Sequence, residues 1–296
     1  MIDLIKTFKD INCNIEENVS LKKYSTFKVG GIGKLVVCPD TIDKFVKVIT
    51  ICRENNQDYF ILGNGSNILF DDNGYDNVII STRKLRNISI DGEYINCECG
   101  AVLASIGFKA AKDSLTGFER LSGIPGTIGG AVVMNAGAYG SEFKDVLVSI
   151  KALDVDGNVI ELRNDDLGFD YRTSNIKEKK LIVLSATIKL EKGDAEEIAE
   201  TMDTLRGKRI KSQPLEFPNA GSIFKRNGDF IPGKAIDECG LKGYSIGGAM
   251  VSPKHANFIV NFEKATSSDV KNLIQYIKSL IKEKYNQDIH TEIEMI

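Results

Sequence analysis

The chain has 296 residues, 38 Lys plus Arg against 41 Asp plus Glu, and a net charge of −3. That mildly acidic balance excludes a dedicated nucleic-acid binder, which carries a basic excess, and no window approaches the ~18 unbroken apolar residues of a membrane span. Two histidines and six cysteines without a C-x-x-C pair leave no metal site to expect, and the thiols read as reduced groups of a cytoplasmic protein.

The first residues carry Asp3, Lys6, Lys9 and Asp10, so they lack the apolar core of a secretory leader. Over 42–55, Ile42, Phe45, Val46, Ile49 and Cys52 share one helical face, with Thr41 or Asp40 as cap. Tyr59–Leu62 reads as a buried strand that runs into Gly63, Asn64, Gly65, Ser66 and Asn67. Val78–Ile80 and Ile88–Ile90 are short strands, Tyr94–Cys99 alternates, and Ala101–Lys112 is an Ala-rich helix. Leu121–Gly140 reads as a loop crowded with glycine. Strands at Val148–Leu153 and Asn158–Leu162 flank an Asp154–Gly157 hairpin turn, and Leu181–Leu190 is a long strand. Asp194–Lys211 reads as a charged helix with Ile198, Met202 and Leu205 inward, and Pro214 and Pro218 mark a linker. Near the end, Val270, Leu273, Ile274, Ile277, Leu280 and Ile281 form the stripe of an amphipathic helix over Ser268–Tyr285. The expected domains are 1–205, dividing near residue 80 into subdomains of about 1–80 and 81–205, and 206–296.

Two segments suit a phosphate or a flat ligand. Gly63–Asn67 follows a strand, where small residues leave backbone N–H groups free for an anion. Gly123, Ile124, Pro125, Gly126, Thr127, Ile128, Gly129, Gly130 and Ala131 hold four glycines in eight residues, and Asn135 and Gly137 continue the run. Tight turns alone explain one such cluster; two in one domain favour a nucleotide cofactor. The dinucleotide fingerprint fails because Ile68 follows Gly63-x-Gly65 where glycine is needed. Gly228–Ala235 nearly spells a phosphate loop, but Ala235 replaces the magnesium-binding hydroxyl and Pro232 interrupts it. In the second half, Tyr171-Arg172, Ser222 beside Gly221 with Lys225 three on, His255–Phe258 and Thr291-Glu292 stand out. Each alone has a bland reading as turn or surface charge. No Gly-x-Ser-x-Gly elbow surrounds Ser222, which disfavours a serine hydrolase.

Together these segments closely resemble the UDP-N-acetylenolpyruvoylglucosamine reductase family of bacterial peptidoglycan synthesis. The resemblance runs from Ser25–Gly31 through Leu62–Asn67, Gly123–Ala131 with Asn135–Gly137, and Tyr171-Arg172, to Ala220–Lys225, His255–Phe258 and Thr291-Glu292. The stretch between Arg172 and Ser222 is similar to the shorter branch, which lacks an inserted loop with a substrate-covering tyrosine. The resemblance implies an α+β fold: an FAD-binding domain of the vanillyl-alcohol-oxidase-like (PCMH) type in two subdomains, plus a smaller α+β substrate-binding domain.

It also implies a reaction. NADPH reduces non-covalently held FAD, and hydride then passes from the flavin to the enolpyruvyl ether of UDP-N-acetylglucosamine. Arg172 is implied to hold and polarise the substrate carboxylate, a task for a permanently charged fork. Ser222 is implied as proton donor, and Glu292 as stabiliser of the enolate-like intermediate. Glu294 competes with Glu292, and the preceding Thr291 selects Glu292. Tyr171, Gln213, Lys225 and Asn257 are implied substrate contacts. A monomer or weak homo-oligomer is expected. A sugar or alcohol oxidase on the same scaffold is one alternative, and a binding protein without chemistry is another. Neither His255 nor His290 lies in a glycine-rich segment for covalent flavin, and intact Arg172, Ser222 and Glu292 argue for chemistry.

Overall fold

The helical periodicity over 42–55 produces the helix Ile42–Glu54, started by Thr41, whose hydroxyl accepts from the Lys44 N–H at 3.2 Å. This computed structural model describes residues 2–296, with side chains from residue 4 onward. Residue 1, the nominal start of the first expected domain, lies outside the described residues. Two units divide the chain. The first takes the N-terminal residues through Glu16, then Val36–Asn64 and Asn77–Gly207. The second takes Glu17–Leu35, Gly65–Asp76 and Lys208–Ile296. The division is therefore not linear in sequence, and it cuts the loop Gly63–Asn67 between Asn64 and Gly65.

In the first unit, helix Ile42–Glu54 buries Phe45, Val48, Ile49, Ile51 and Cys52. Ile42 and Val46, expected inward, are half-buried and line a shallow cavity of about 540 Å³ with Lys151, Val159 and Leu184. Strand Tyr59–Leu62 pairs in parallel with Val78–Ser81. A five-stranded antiparallel sheet runs in the order Val159–Arg163, Leu147–Leu153, Ile182–Lys189, Tyr94–Glu98, Ile88–Asp91. The hairpin turn is set by Asp154, whose Oδ1 accepts the N–H of Asp156 at 2.9 Å and of Asn158 at 2.8 Å. Cys97 and Cys99 are buried, and burial pushes the Cys97 thiol up to about 12 and the Cys99 thiol up as well.

The stretch Leu121–Gly140 is not all loop. It contains helix Ile128–Met134 and the end of helix Glu119–Ser122. Tertiary anchors override the poor propensity of Gly129 and Gly130. The Ile128 N–H reaches Ala101 O at 2.8 Å, the Gly129 N–H reaches Cys99 O at 2.9 Å, and a side chain at 129 would meet Cys99 at 3.0 Å. Helix Ala195–Ser212 buries only Ile198; Met202 and Leu205 are half-buried.

In the second unit, a four-stranded antiparallel sheet has the order Asn219–Ser222, Phe258–Asn261, Ala249–Val251, Ser245–Ile246. Helix Ser267–Tyr285 buries Val270, Leu273, Ile274, Ile277 and Ile281, while Leu280 is partly buried. Its start is a capping box, with Thr266 and Asp269 each accepting the other's backbone N–H. Its core extends to Phe27, Val29 and Leu69, so residues from 17–35 and 65–76 share the apolar interior of the C-terminal segment. Asp72 receives the N–H groups of Ser267 at 2.6 Å and Ser268 at 2.9 Å. The terminal strand Glu294–Met295 pairs in parallel with Ile68–Leu69.

Candidate active site

In the first unit the two glycine-rich segments meet. Asn64 Nδ2 donates to Pro125 O at 2.7 Å, and Arg83 Nη2 donates to Asn64 O at 3.0 Å. A Cβ on Gly63 would sit 2.5 Å from Thr127 Oγ1, so the first loop passes this close only as glycine. Gly123, Pro125 and Gly130 are exposed and Ile124 and Gly126 half-buried, whereas Thr127, Gly129 and Ala131 are buried. In the loop Gly63–Asn67, no backbone N–H donates to a protein acceptor among the described residues. Such a run of unpaired donors needs water or an anion.

Arg172 sits on a tight turn in which Asp170 and Thr173 exchange backbone hydrogen bonds, both at 3.2 Å. Its φ of 54° is in the left-handed region, which a non-glycine residue adopts at a cost. Its Nη2 donates to Gly137 O at 2.8 Å, and its guanidinium lies 5.0 Å from the Tyr171 ring centroid. Gly137 is small for this reason: a Cβ there would approach Arg172 Nη1 at 3.2 Å and Ser141 O at 2.6 Å. Buried Asn135 supports the turn. Its Nδ2 donates to Asp170 O at 3.0 Å and Glu142 Oε2 at 3.2 Å, and its Oδ1 accepts the Lys144 N–H at 3.0 Å. All three of these bonds of the Asn135 side chain are made within the protein.

The second unit gathers Ser222, Lys225, Asn257 and Glu292. The Ile223 N–H donates to Asn257 O at 2.8 Å, and the Glu292 N–H donates to Ile223 O at 2.7 Å. The Lys225 N–H reaches His290 O at 2.9 Å, and Asn67 Nδ2 donates to Glu292 O at 3.0 Å. Among the described residues the Ser222 hydroxyl has no protein partner, and the half-buried Lys225 ammonium has no ion pair. Gln213 Oε1 is buried and unpartnered. Asn257 differs from these: its carboxamide pairs with the Phe224 backbone, accepting its N–H at 3.1 Å and donating to its C=O at 2.9 Å. Burial lowers the pKa of His255, so its ring is neutral near pH 7, and its Nδ1 accepts the Asn257 N–H at 3.2 Å.

Ser25 and Thr26 stand in the first motif of the chain, Ser25–Gly31. Ser25 Oγ donates to Ile68 O at 3.2 Å, and Thr26 Oγ1 donates to Asn219 O at 2.7 Å. They tie the loop after Gly65 and the strand before Ser222 to residues 25–26. Their hydroxyls in a small-residue motif were the only available signal. Among the described residues no group of three His, Cys, Asp or Glu side chains could hold a metal ion, and no helix is long and apolar enough to cross a membrane.

Two family models match the chain: "UDP-N-acetylenolpyruvoylglucosamine reductase, C-terminal domain" over residues 213–296, and "FAD binding domain" over 33–163. A curated UDP-N-acetylenolpyruvoylglucosamine reductase of Caldanaerobacter subterraneus subsp. tengcongensis is 46% identical over 279 residues, 94% of this chain and 92% of that one. The crystal structure of UDP-N-acetylenolpyruvylglucosamine reductase from Thermus caldophilus superposes with a TM-score of 0.83 at 33% identity, covering 96% and 99% of the two chains. A berberine bridge enzyme variant is similar in fold alone, with a TM-score of 0.50 at 15% identity over 65% of this chain and 44% of that one. The α+β class and the vanillyl-alcohol-oxidase-like FAD-binding fold expected from the sequence are both found.

Proposed function

This chain belongs to the UDP-N-acetylenolpyruvoylglucosamine reductase family of FAD-dependent oxidoreductases, and on that premise we propose that it reduces the enolpyruvyl ether of UDP-N-acetylglucosamine to UDP-N-acetylmuramate with NADPH. The residues present fit FAD. The unpaired N–H groups of Gly63, Asn64, Gly65, Ser66 and Asn67 suit a pyrophosphate. The exposed or half-buried positions Gly123, Ile124, Pro125, Gly126 and Gly130 include three glycines, whose backbone surface a flat ligand can approach without Cβ clashes. Thr127, Gly129, Ala131, Asn135 and Gly137 act behind that surface, in its packing. FAD held there would supply the hydride chemistry between NADPH and the substrate's alkene.

The protein's own groups handle charge and proton. Arg172 holds the substrate carboxylate, and its fixed guanidinium favours the negative charge that develops there. Ser222 donates a proton from Oγ to the second alkene carbon and recovers one from solvent, so the alkene gains one hydride and one proton. Glu292 stabilises the enolate-like intermediate; in support, its backbone N–H is bound to the carbonyl of Ile223, the residue after Ser222. Lys225 suits a phosphate, and Gln213 and Tyr171 suit the sugar and carboxylate portions. The reaction is assigned to the cytoplasm, where six free thiols stay reduced, and to a monomer or weak homo-oligomer.

The observation that carries this reading is the half-buried Ser222 hydroxyl without a protein partner among the described residues, next to Ile223, whose N–H donates to Asn257 O and whose C=O accepts from the Glu292 N–H. A serine is a weak acid, and only exact delivery makes it competent. Ser222→Ala should leave bleaching of the flavin by NADPH intact and slow its reoxidation by the enolpyruvyl substrate by about 10²–10⁴-fold. Fast reoxidation in that variant removes Ser222 from the mechanism.

A further inference from the structure

Asn257 makes an unusual set of bonds. Its C=O accepts from Ile223, its Oδ1 accepts from Phe224, and its Nδ2 donates back to the Phe224 carbonyl. The two residues after Ser222 are therefore clasped three times by one residue. Ser222 itself stands opposite Phe258 in the ladder, one residue beyond Asn257. On the other side Ile223 O is taken by the Glu292 N–H. The Asn257 backbone is in turn held by its N–H, which donates to His255 Nδ1 at 3.2 Å. The register of the strand pair is irregular between Asn219 and Ser222, so the ladder alone does not set the direction of Ser222.

We propose that Asn257 is a positioning residue: its carboxamide clasp on Phe224 aims the Ser222 hydroxyl, and substrate recognition is not its main task. The inference rests on Ser222 being the proton donor. A side-chain amide is suited to the task because it matches the N–H and C=O of one residue simultaneously, as a neighbouring strand would. Aspartate has the same shape but cannot return the second bond when ionised, and alanine returns neither. Displacing a reacting group by about 1 Å costs on the order of 10²-fold in rate.

The test uses the full-length protein loaded with FAD and compares Asn257→Asp, Asn257→Ala, Ser222→Ala and Ser222→Ala combined with Asn257→Asp. Asn257→Asp should bind FAD and be reduced by NADPH at the parent rate. Its reoxidation at saturating enolpyruvyl substrate should fall about 10–100-fold with KM changed less than threefold. Asn257→Ala should fall at least as far. In the Ser222→Ala background Asn257→Asp should add little, because it acts through a hydroxyl that is gone. A rise in KM with reoxidation unchanged at saturation overturns the proposal and makes Asn257 a substrate contact. Multiplicative losses in the double variant overturn it too. If Ser222→Ala itself reoxidises at the parent rate, the proton-donor reading fails, and the inference falls with it. Should the Asn257 variants fail to fold, hydrogen exchange on the unaltered protein decides: a slow Phe224 amide is required, and exchange at the rate of an open loop refutes the clasp.

Discussion

Substituting Gly63 by alanine probes the junction of the two glycine-rich segments. The added Cβ lands 2.5 Å from Thr127 Oγ1, closer than real Cβ contacts come, whereas Thr127 Cβ and Cγ2 lie at 3.6 and 3.7 Å. The clash is thus with one oxygen. Gly63 has no positive φ, so backbone conformation adds nothing to the cost. Overpacking of this kind costs about 1–3 kcal/mol, which at about 2 °C per kcal/mol lowers Tm by roughly 2–6 °C. The Asn64–Pro125 bond is one residue away, so FAD affinity should fall along with Tm. Thr127→Ala deletes the clashing oxygen, which makes no helix-capping bond, and restores the remaining contact to 3.6 Å. The double variant should therefore be more stable than Gly63→Ala, with a coupling of about 1–2 kcal/mol between the two changes. Thermal unfolding and flavin-fluorescence titration of the four proteins measure this. Additive losses would falsify the argument, as would a Gly63→Ala protein indistinguishable from the parent.

Three further outcomes follow from the geometry. Arg172→Gly removes a left-handed strain of about 1–2 kcal/mol and loses, among its other contacts, the hydrogen bond to Gly137 O and the contact with the Tyr171 ring, about 1 kcal/mol each. Substrate-driven reoxidation should drop at least about 10²-fold while the flavin is still reduced by NADPH; a variant that reoxidises at the parent rate contradicts this. The Asp269 carboxyl is held below its usual range by the Thr266 and Gly248 N–H groups. It therefore stabilises the folded chain above the ordinary carboxylate pKa of about 3.9, and that contribution disappears as pH falls through the lowered value. Asp269→Asn should lose stability at pH 7 and show a shallower acid limb in Tm against pH, and a parallel curve counts against the cap. Finally, burial raises the thiols of Cys52 and Cys97 to about 12 and raises Cys99 too. A thiol reagent at pH 8 should modify the half-buried Cys38 and Cys239 first and these three only on unfolding, as peptide mapping would reveal.

Much of the fold could be read locally. The Thr41 cap, the Asp154–Gly157 turn and the stripe of helix Ser267–Tyr285 each rest on neighbours within a few residues. What failed to be legible depends on partners far along the chain. Helix Ile128–Met134 hides in a glycine run because its anchors are Cys99 and Ala101. Strands Ser245–Ile246 and Ala249–Val251 are too short to show a period. The membership of 17–35 and 65–76 in the second unit rests on pairings such as Glu294 with Ile68, which no window contains.

The site divides in the same way, and the division has a chemical basis. Types of chemistry were legible: an arginine next to a tyrosine, a serine after a glycine, a lysine three residues on, a glutamate after a threonine. The glycine clusters were legible as backbone exposed to a ligand. The sequence did not distinguish polar side chains that face a ligand from those that hold the protein, because asparagine serves both equally well. Asn135 and Asn257 both read from the sequence as ligand contacts; in the structure Asn135 bonds to Asp170, two residues before Arg172, and Asn257 to Phe224, two residues after Ser222. In both units a charged or acidic group sits on irregular backbone that a ladder cannot specify, and an amide at that point supplies the missing donor and acceptor. Ser222 and Lys225, by contrast, have side chains without protein partners among the described residues. For these four residues, whether the polar group is already satisfied within its own unit is the property that tells them apart, and it is a property of three-dimensional pairing that residue type alone does not encode.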